Sequence, residues 1–407
     1  MITDTKWRSE RLPRLGSAIF ADVASWKEEA RQSGMDVIDL GIGSPDRAPS
    51  DRVRRALSEE VLRLDRYAYP ASRGSAAFRE QAALWMQHRF GVSLDPDHEV
   101  LALMGSQDGL AHLALAVTNP GDAVLVPDPG YPIYAAGLAV AGVEAIYVPL
   151  REVNDFLPDL DAIPEESWRK AKFILLNFPS NPVSSVAELP FFEKLIKMAK
   201  HYGVLVVHDL AYSEMAFDGY RPPSILEVPG ALDIAVEFHS LSKSFNMAGC
   251  RIGFLTGNRE AIGALRDLKA NLDYGVFDAL QQAGIVALQE DMERVGAPVG
   301  ALYERRRDSF VQALREEGWN VAKPKATMFI WAALPGAAVS NGWTSRRISQ
   351  EMLRKTGVAV IPGDAFGQEG EGYVRIALVE EEERLVEAAR RIGRFIREEL
   401  NQNMPKF

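Results

Sequence analysis

Val204-Leu205-Val206-Val207-His208-Asp209-Leu210-Ala211-Tyr212 decides the fold. Its first four residues are apolar without alternation, the pattern of a strand covered on both faces, and the run closes on a carboxylate with a phenol three residues on. Similar runs flank it at Val100–Met104, Ala123–Pro127, Glu144–Val148, Phe173–Asn177, Ile234–Phe238 and Gly253–Thr256, most of them separated by helix-length segments. Strands alternating with helices predict a large α/β domain built on a seven-stranded, mostly parallel sheet.

Beyond about residue 290 the rhythm changes. An amphipathic helix, Leu302 to Glu317, is closed by Gly318, and strands follow near Phe329–Ala332, Val358–Ile361 and Tyr373–Leu378. A last helix, Glu381 to Leu400, repeats Leu385, Ala388, Ala389, Ile392, Phe395 and Ile396 on one side. The expected organisation is an N-terminal segment, 1–50, packing with the small domain, a large domain over 51–290, and a smaller α+β domain over 291–407. The linking helix falls near Asp278 to Asp291. Patterning leaves open whether the first segment also bridges to the large domain.

Composition bounds the function. The 407 residues are long enough for roughly two to three domains. With 46 Lys+Arg against 56 Asp+Glu the formal charge is −10, which argues against a broad nucleic-acid-binding field. Cys250 is alone, so neither a disulfide nor a Cys/His zinc site is expected, and a reducing, cytoplasmic compartment fits. Met1 to Arg14 mixes charges with no apolar core for export, and Ala135 to Leu150 is too short and too broken to span a bilayer.

Three segments carry candidate chemistry. Gly105-Ser106-Gln107-Asp108-Gly109 follows one strand and opens a helix, where small residues and the helix N-terminus suit an anion; a ligand-free capped turn is the alternative. Asp209 ends a buried strand, where α/β sheets bind ligands, though it could equally cap the next segment. Ser240-Leu241-Ser242-Lys243 sets an amine beyond another strand, with Arg251 eight residues on; partial desolvation and that cation would lower the lysine pKa, and a solvated surface lysine is the alternative. Ser240-x-x-Lys243 also matches a serine acyl-transferase signature, with Lys355-Thr356-Gly357 as its second motif. That reading fails on context: no separate Ser-x-Asn loop exists, and Gly357 reads as a helix C-cap.

Taken in order, Asn177-Phe178-Pro179-Ser180-Asn181-Pro182, Asp209-x-x-Tyr212, Ser240-x-Ser242-Lys243 with Arg251, and Arg375 in Tyr373-Val374-Arg375-Ile376 resemble the class I/II pyridoxal-phosphate-dependent aminotransferases of fold type I. The resemblance runs from Gly41-Ile42-Gly43-Ser44-Pro45-Asp46 to the last strand. It is nearest the LL-diaminopimelate and alanine aminotransferase branch, in stretches such as Val126-Pro127-Asp128-Pro129-Gly130-Tyr131. It implies pyridoxal 5'-phosphate as cofactor and an amino acid and a 2-oxo acid as substrates, exchanged by a ping-pong cycle. Lys243 would hold the cofactor covalently and then shuttle the substrate's Cα proton. Asp209 would keep the pyridine nitrogen protonated. Tyr212 and Asn181 would contact the phenolic oxygen, and Tyr131 would stack on the ring. Ser106, Gln107, Ser240, Ser242 and Arg251 would hold the phosphate. Tyr69 would complete the neighbouring subunit's site, so a homodimer is implied. Arg375, with Asn181 and the backbone near Gly43, would bind the substrate carboxylate.

Departures from that pattern are expected to matter locally. Asn181-Pro182-Val183-Ser184-Ser185 stands where the family usually has Asn-Pro-Thr-Gly, and Cys250 stands where the branch often has Trp. Leu15-Gly16-Ser17-Ala18-Ile19-Phe20 lacks the tyrosine of the diaminopimelate enzymes, which weakens that substrate. Arg47 and Arg73 are candidate partners for an acidic side chain. The six histidines show no metal spacing, and no P-loop or complete dinucleotide fingerprint occurs. The alternatives to an aminotransferase are an α,β-lyase on the same fold and a non-catalytic cofactor-binding regulator.

Overall fold

The computed structural model describes residues 7, 9, 11–15, 18–296 and 298–400. Gly16 and Ser17 of the N-terminal motif, and most of the run Met1 to Arg14 through residue 10, lie outside the described residues. The N-terminal segment supplies strand β1 (Ile38–Asp39). The alternation of apolar runs then becomes β2 (Val100–Leu103), β3 (Ala123–Asp128), β4 (Glu144–Pro149), β5 (Ala171–Asn177), β6 (Leu205–Asp209), β7 (Ala235–Ser240) and β8 (Gly253–Gly257). They form one seven-stranded sheet in the order β2-β8-β7-β6-β5-β3-β4. All neighbours are parallel except those of β8, which runs antiparallel to both β2 and β7.

Burial on both faces explains the unbroken apolar runs. Leu125, Ile174, Leu176 and Val206 pack into one hydrophobic core, whereas Val124, Val126, Phe173, Leu175 and Val207 pack into another on the opposite face. Strand order reverses between β3 and β5, which opens a crevice at the carboxyl ends of the central strands. Asn177 and Asp209 end paired strands as register partners there. Strand β7 extends beyond the expected Phe238 because antiparallel β8 offers partners to His239 and Ser240.

Later in the chain, β9 (Phe329–Ala333), β11 (Ile361–Pro362) and β12 (Tyr373–Ala377) form a three-stranded antiparallel sheet, and β10 (Val358–Ala359) pairs in parallel with β1. The single strand expected over Val358–Ile361 is thus divided, changing partner at Val360. Helix Glu382–Phe395 buries Leu385, Ala388, Ala389, Ile392 and Phe395 against Tyr303, Phe310 and Leu314 of helix Val299–Glu316, and its continuation over Ile396–Leu400 widens into a π-helical turn. Ile38 and Leu40 lie in the same core, and helix Ala18–Gln32 packs on helix Ser345–Thr356. Gly357 caps that last helix at φ 75°, so Lys355-Thr356-Gly357 is a helix end and the acyl-transferase reading falls. Among the described residues no helix is long and apolar enough to cross a membrane.

Candidate active site

The crevice holds a cavity of about 680 Å³. Of the residues expected to contact the cofactor or the substrate carboxylate, all but Tyr69 line it: Gly43, Ser106, Gln107, Tyr131, Asn181, Asp209, Tyr212, Ser240, Ser242, Lys243, Arg251 and Arg375. Arg47 and Arg73 do not. Arg47 is tied to Glu381 at 2.6 Å and Arg73 lies on the surface 3.5 Å from Asp97.

At one end of the cavity, Gly105 (φ 79°) turns the chain from β2 into helix Ser106–Val117. A Cβ at Gly105 would meet Arg251 Nη2 at 2.7 Å, and one at Gly253 would meet His239 O at 2.6 Å and Ser106 N at 3.1 Å. Glycine is therefore required on both walls for backbone and guanidinium to come this close. The first N–H groups of the helix have no intrahelical partner, and Arg251 Nη1 reaches Ser242 Oγ at 3.5 Å, so donors and positive charge converge on one spot. Behind it, Asp108 accepts from Met104 N at 3.0 Å and pairs with buried Lys269, anchoring the turn.

Asp209 lies across the cavity floor. Its Oδ2 accepts a hydrogen bond from Tyr134 at 2.8 Å, while Oδ1 is buried without a partner. Burial pushes the carboxyl up to about 6, against the lowering effects of the Tyr134 hydrogen bond and the positive field of His208. Asn177 holds the backbone below: Nδ2 donates to Asp209 O at 2.7 Å and Oδ1 accepts from Asn181 N at 2.7 Å.

Lys243 projects from the one-turn helix Leu241–Ser244 and donates from Nζ to Gly43 O. Burial lowers its pKa to about 8, with Arg375 and Arg251 adding repulsion. Arg375 is buried, donating from Nη1 to Asn181 Oδ1 and from Nη2 to Gly41 O, each at 2.8 Å. Its guanidinium lies over Phe329 and Phe366, 4.2 and 4.7 Å from the ring centroids. Among the described residues no carboxylate pairs with it. Burial lowers its pKa to about 10, with the fields of Tyr212 and Tyr131 opposing. Burial likewise raises the Tyr212 hydroxyl far above its ordinary range. Tyr131 stands over the Gln107 side chain, its hydroxyl 3.2 Å from Oε1.

The altered turn is held by its own hydrogen bonds. Ser184 takes the left-handed conformation (φ 57°) that the family's glycine would favour; its hydroxyl donates to Phe329 O at 2.9 Å and accepts from Thr327 Oγ1 at 3.0 Å. Cys250 is half-buried against the core, and burial raises its thiol. Tyr134 and Asn177 were not singled out by sequence reasoning. Tyr131-Pro132-Ile133-Tyr134 held a signal for the first, since Tyr134 falls in the first turn of the helix that starts just after Tyr131, where the two rings lie 5.8 Å apart.

The profile of the family "Aminotransferase class I and II" matches residues 35–392. The chain is 44% identical over 388 residues to the LL-diaminopimelate aminotransferase of Moorella thermoacetica, covering 95% of this chain and 98% of that protein. It is 45% identical over 387 residues to that of Nitratidesulfovibrio vulgaris, with the same coverage. A solved structure titled as a probable N-succinyldiaminopimelate aminotransferase from Thermus thermophilus superposes with a TM-score of 0.86 at 39% identity, covering 92% of this chain and 99% of that one. Pyridoxal phosphate, the cofactor of this family, finds fitting residues here: an orphaned acid oxygen, a lysine of lowered pKa and an anion cradle in which a Cβ at Gly105 or Gly253 would clash. The chain belongs to the class I and II aminotransferases, pyridoxal-phosphate-dependent enzymes of fold type I that transfer an amino group between an amino acid and a 2-oxo acid.

Proposed function

We propose that this amino transfer runs on Lys243, Asp209 and Arg375. Pyridoxal phosphate, when bound, supplies an aldehyde for the amine and a ring that accepts electrons from Cα. Asp209 Oδ1, unpartnered in its buried seat, holds a proton on the ring nitrogen. Lys243 Nζ would hold the cofactor and, as a free amine, would be the base that takes the proton from Cα. The main support is the buried guanidinium of Arg375, which lacks a carboxylate partner among the described residues and shares the cavity with Lys243. A substrate α-carboxylate would complete its bidentate fork beside Asn181 and near Gly43, turning Cα toward the amine. Ser106, Gln107, Ser240, Ser242 and Arg251 would take the phosphate, Tyr131 would cover the ring, and Tyr212 with Asn181 would contact the phenolic oxygen.

We read residues 51–290 as the cofactor-binding domain and 291–407 as the small domain, joined by the N-terminal segment. Tyr69 lies outside its own chain's cavity, is 87% exposed, and has its ring 5.4 Å from that of Tyr274; Leu64 and Tyr67, near it in sequence, are exposed as well. That exposed apolar surface supports a homodimer in which Tyr69 reaches the partner's phosphate site. A cytoplasmic location is in keeping with the lone cysteine.

The relatives' substrate supports LL-diaminopimelate as donor. The apolar wall contributed by Phe20, Val23, Ala24 and Ile42 favours a second reading, a donor with an apolar side chain. Following loss of the bound cofactor's visible absorbance against a panel of amino acids tests both. Rapid conversion by LL-diaminopimelate alone supports the first reading, and conversion only by apolar amino acids replaces it with the second. Conversion by no amino acid overturns the site assignment.

A further inference from the structure

Directly behind Asp209, on the opposite face of the sheet, lies a fully buried polar cluster that the amino-transfer site does not use. Four donors converge on Glu237. Ser224 Oγ (2.6 Å) and His239 Nε2 (2.9 Å) donate to Oε1, and Ile225 N (3.0 Å) donates to Oε2, beside His208 Nδ1 at 2.8 Å. A carboxyl surrounded by donors accepts from all of them as a carboxylate. The other ring nitrogen of His208, Nε2, lies 3.0 Å from Phe178 O, which can only accept. Both ring nitrogens therefore face acceptors, and the ring satisfies both only by carrying two protons.

We propose that His208 is a positioning residue for the amino-transfer site: a buried imidazolium, clamped between Glu237 and the Phe178 carbonyl, that ties together the chain segments carrying Asn181, Asp209 and Lys243 and stands as a fixed positive charge behind Asp209. The connections are direct. His208 precedes Asp209 on β6; Glu237 lies on β7, which leads into Ser240 and Lys243; Phe178 follows Asn177 in the loop that delivers Asn181. The titratable groups around the ring are Glu237 and His239 from β7, Asp209 on its own strand, and Glu227, which faces Glu237 from the turn Ile225–Glu227. Burial opposes ionisation of Glu237, yet its hydrogen bonds from His208 and His239 hold it well below the usual carboxylate range. The His208 charge likewise acts to lower Asp209, after burial and the Tyr134 bond. Losing that charge would leave Asp209 a weaker acid, less fit to hold a proton on a ring nitrogen as an ion pair.

The charge half of this proposal rests on Asp209 facing the cofactor; the clamp does not. In the folded, cofactor-free full-length chain carrying ¹⁵N-histidine, His208 is expected to show two protonated ring nitrogens. Its resonances are identified by their loss in His208→Gln or, if that variant does not fold, by their displacement in Glu237→Gln. A bare nitrogen on His208 in the folded chain overturns the proposal. With ¹³C-labelled aspartate, His208→Gln is expected to raise the Asp209 titration by on the order of one pH unit and to move the acid limb of the kcat profile the same way. Unmoved titration and profile overturn the charge half. Full turnover by Asp209→Asn overturns the Asp209 assignment and, with it, the charge half, while leaving the nitrogen measurement to decide the clamp.

Discussion

Tyr134 and Asp209 share one hydrogen bond, 2.8 Å from phenolic oxygen to Oδ2, and it fixes which carboxylate oxygen remains free to meet a ligand. The bond crosses from helix Ile133–Ala141 to the end of β6, so one side chain orients the acid by spanning 75 residues of sequence.

Replacing Tyr134 by Phe removes the donor and leaves both acid oxygens without a side-chain partner. A charge-assisted hydrogen bond contributes roughly 1.5–3 kcal/mol, so cofactor affinity is expected to fall about 10- to 100-fold. Titration of the cofactor-free chain by visible absorbance measures it, and unchanged affinity contradicts the role given to Oδ2.

Asp209→Asn should abolish turnover yet stabilise the cofactor-free chain at alkaline pH. Because burial raises the folded-state pKa from 3.8 to about 6, the native state retains a proton that the unfolded chain has already released between those values. Stability is therefore lost as pH rises through that window, and the penalty is full above it. Asparagine removes the penalty, worth on the order of 1–3 kcal/mol. Thermal melts at about pH 5, inside that window, and at about pH 8, above it, should show a gain at both, roughly twice as large at the higher pH.

Attachment of the cofactor aldehyde needs Lys243 as a free amine. The rate of reconstitution should rise with pH to a midpoint near 8 and then level off. Desolvation causes most of that lowering and Arg375 the next part, so Arg375→Gln should move the midpoint upward. A midpoint near the ordinary lysine value in the parent chain would remove Lys243 from the role.

Arg375→Lys keeps a charge but loses the fork that meets a carboxylate through two parallel bonds. The expected result is a fall in kcat/KM of roughly 100-fold for amino acids, with the slow half-reaction of an amine lacking the α-carboxylate unaffected. An equal loss for both would mean that Arg375 does not read the carboxylate.

If Tyr69 serves the partner's site, Lys243→Ala and Tyr69→Ala chains should complement each other. Mixed dimers hold one intact site, and random reassociation gives roughly a quarter of parental activity. Mixtures no more active than the separate variants would place Tyr69 outside the site.

Much of the site was legible because its chemistry sits at strand ends, and a buried strand announces its own end where an apolar run meets a polar residue. Asp209 after Val204–Val207 and Ser240–Lys243 after β7 are such places. Arg375 was different. Within a strand it reads as an ordinary surface residue, and only the resemblance singled it out. Its burial depends on Phe329 and Phe366, brought from other segments of the small sheet and the turn after β11. Tyr134 escaped notice because an apolar helix accounts for a tyrosine without a partner, and its partner lies on another strand.

Sequence alone determined the order of strands and helices and the residue types at the strand ends, since local patterning records which faces are buried and where the chain must turn. Tertiary structure alone decided the strand order, the division of Val358–Ile361 between two sheets, the left-handed seat of Ser184 and the electrostatics of Lys243, Asp209 and Arg375. Those properties arise from groups distant in sequence that share a space without water, and a charge's cost depends on what surrounds it, not on its neighbours along the chain.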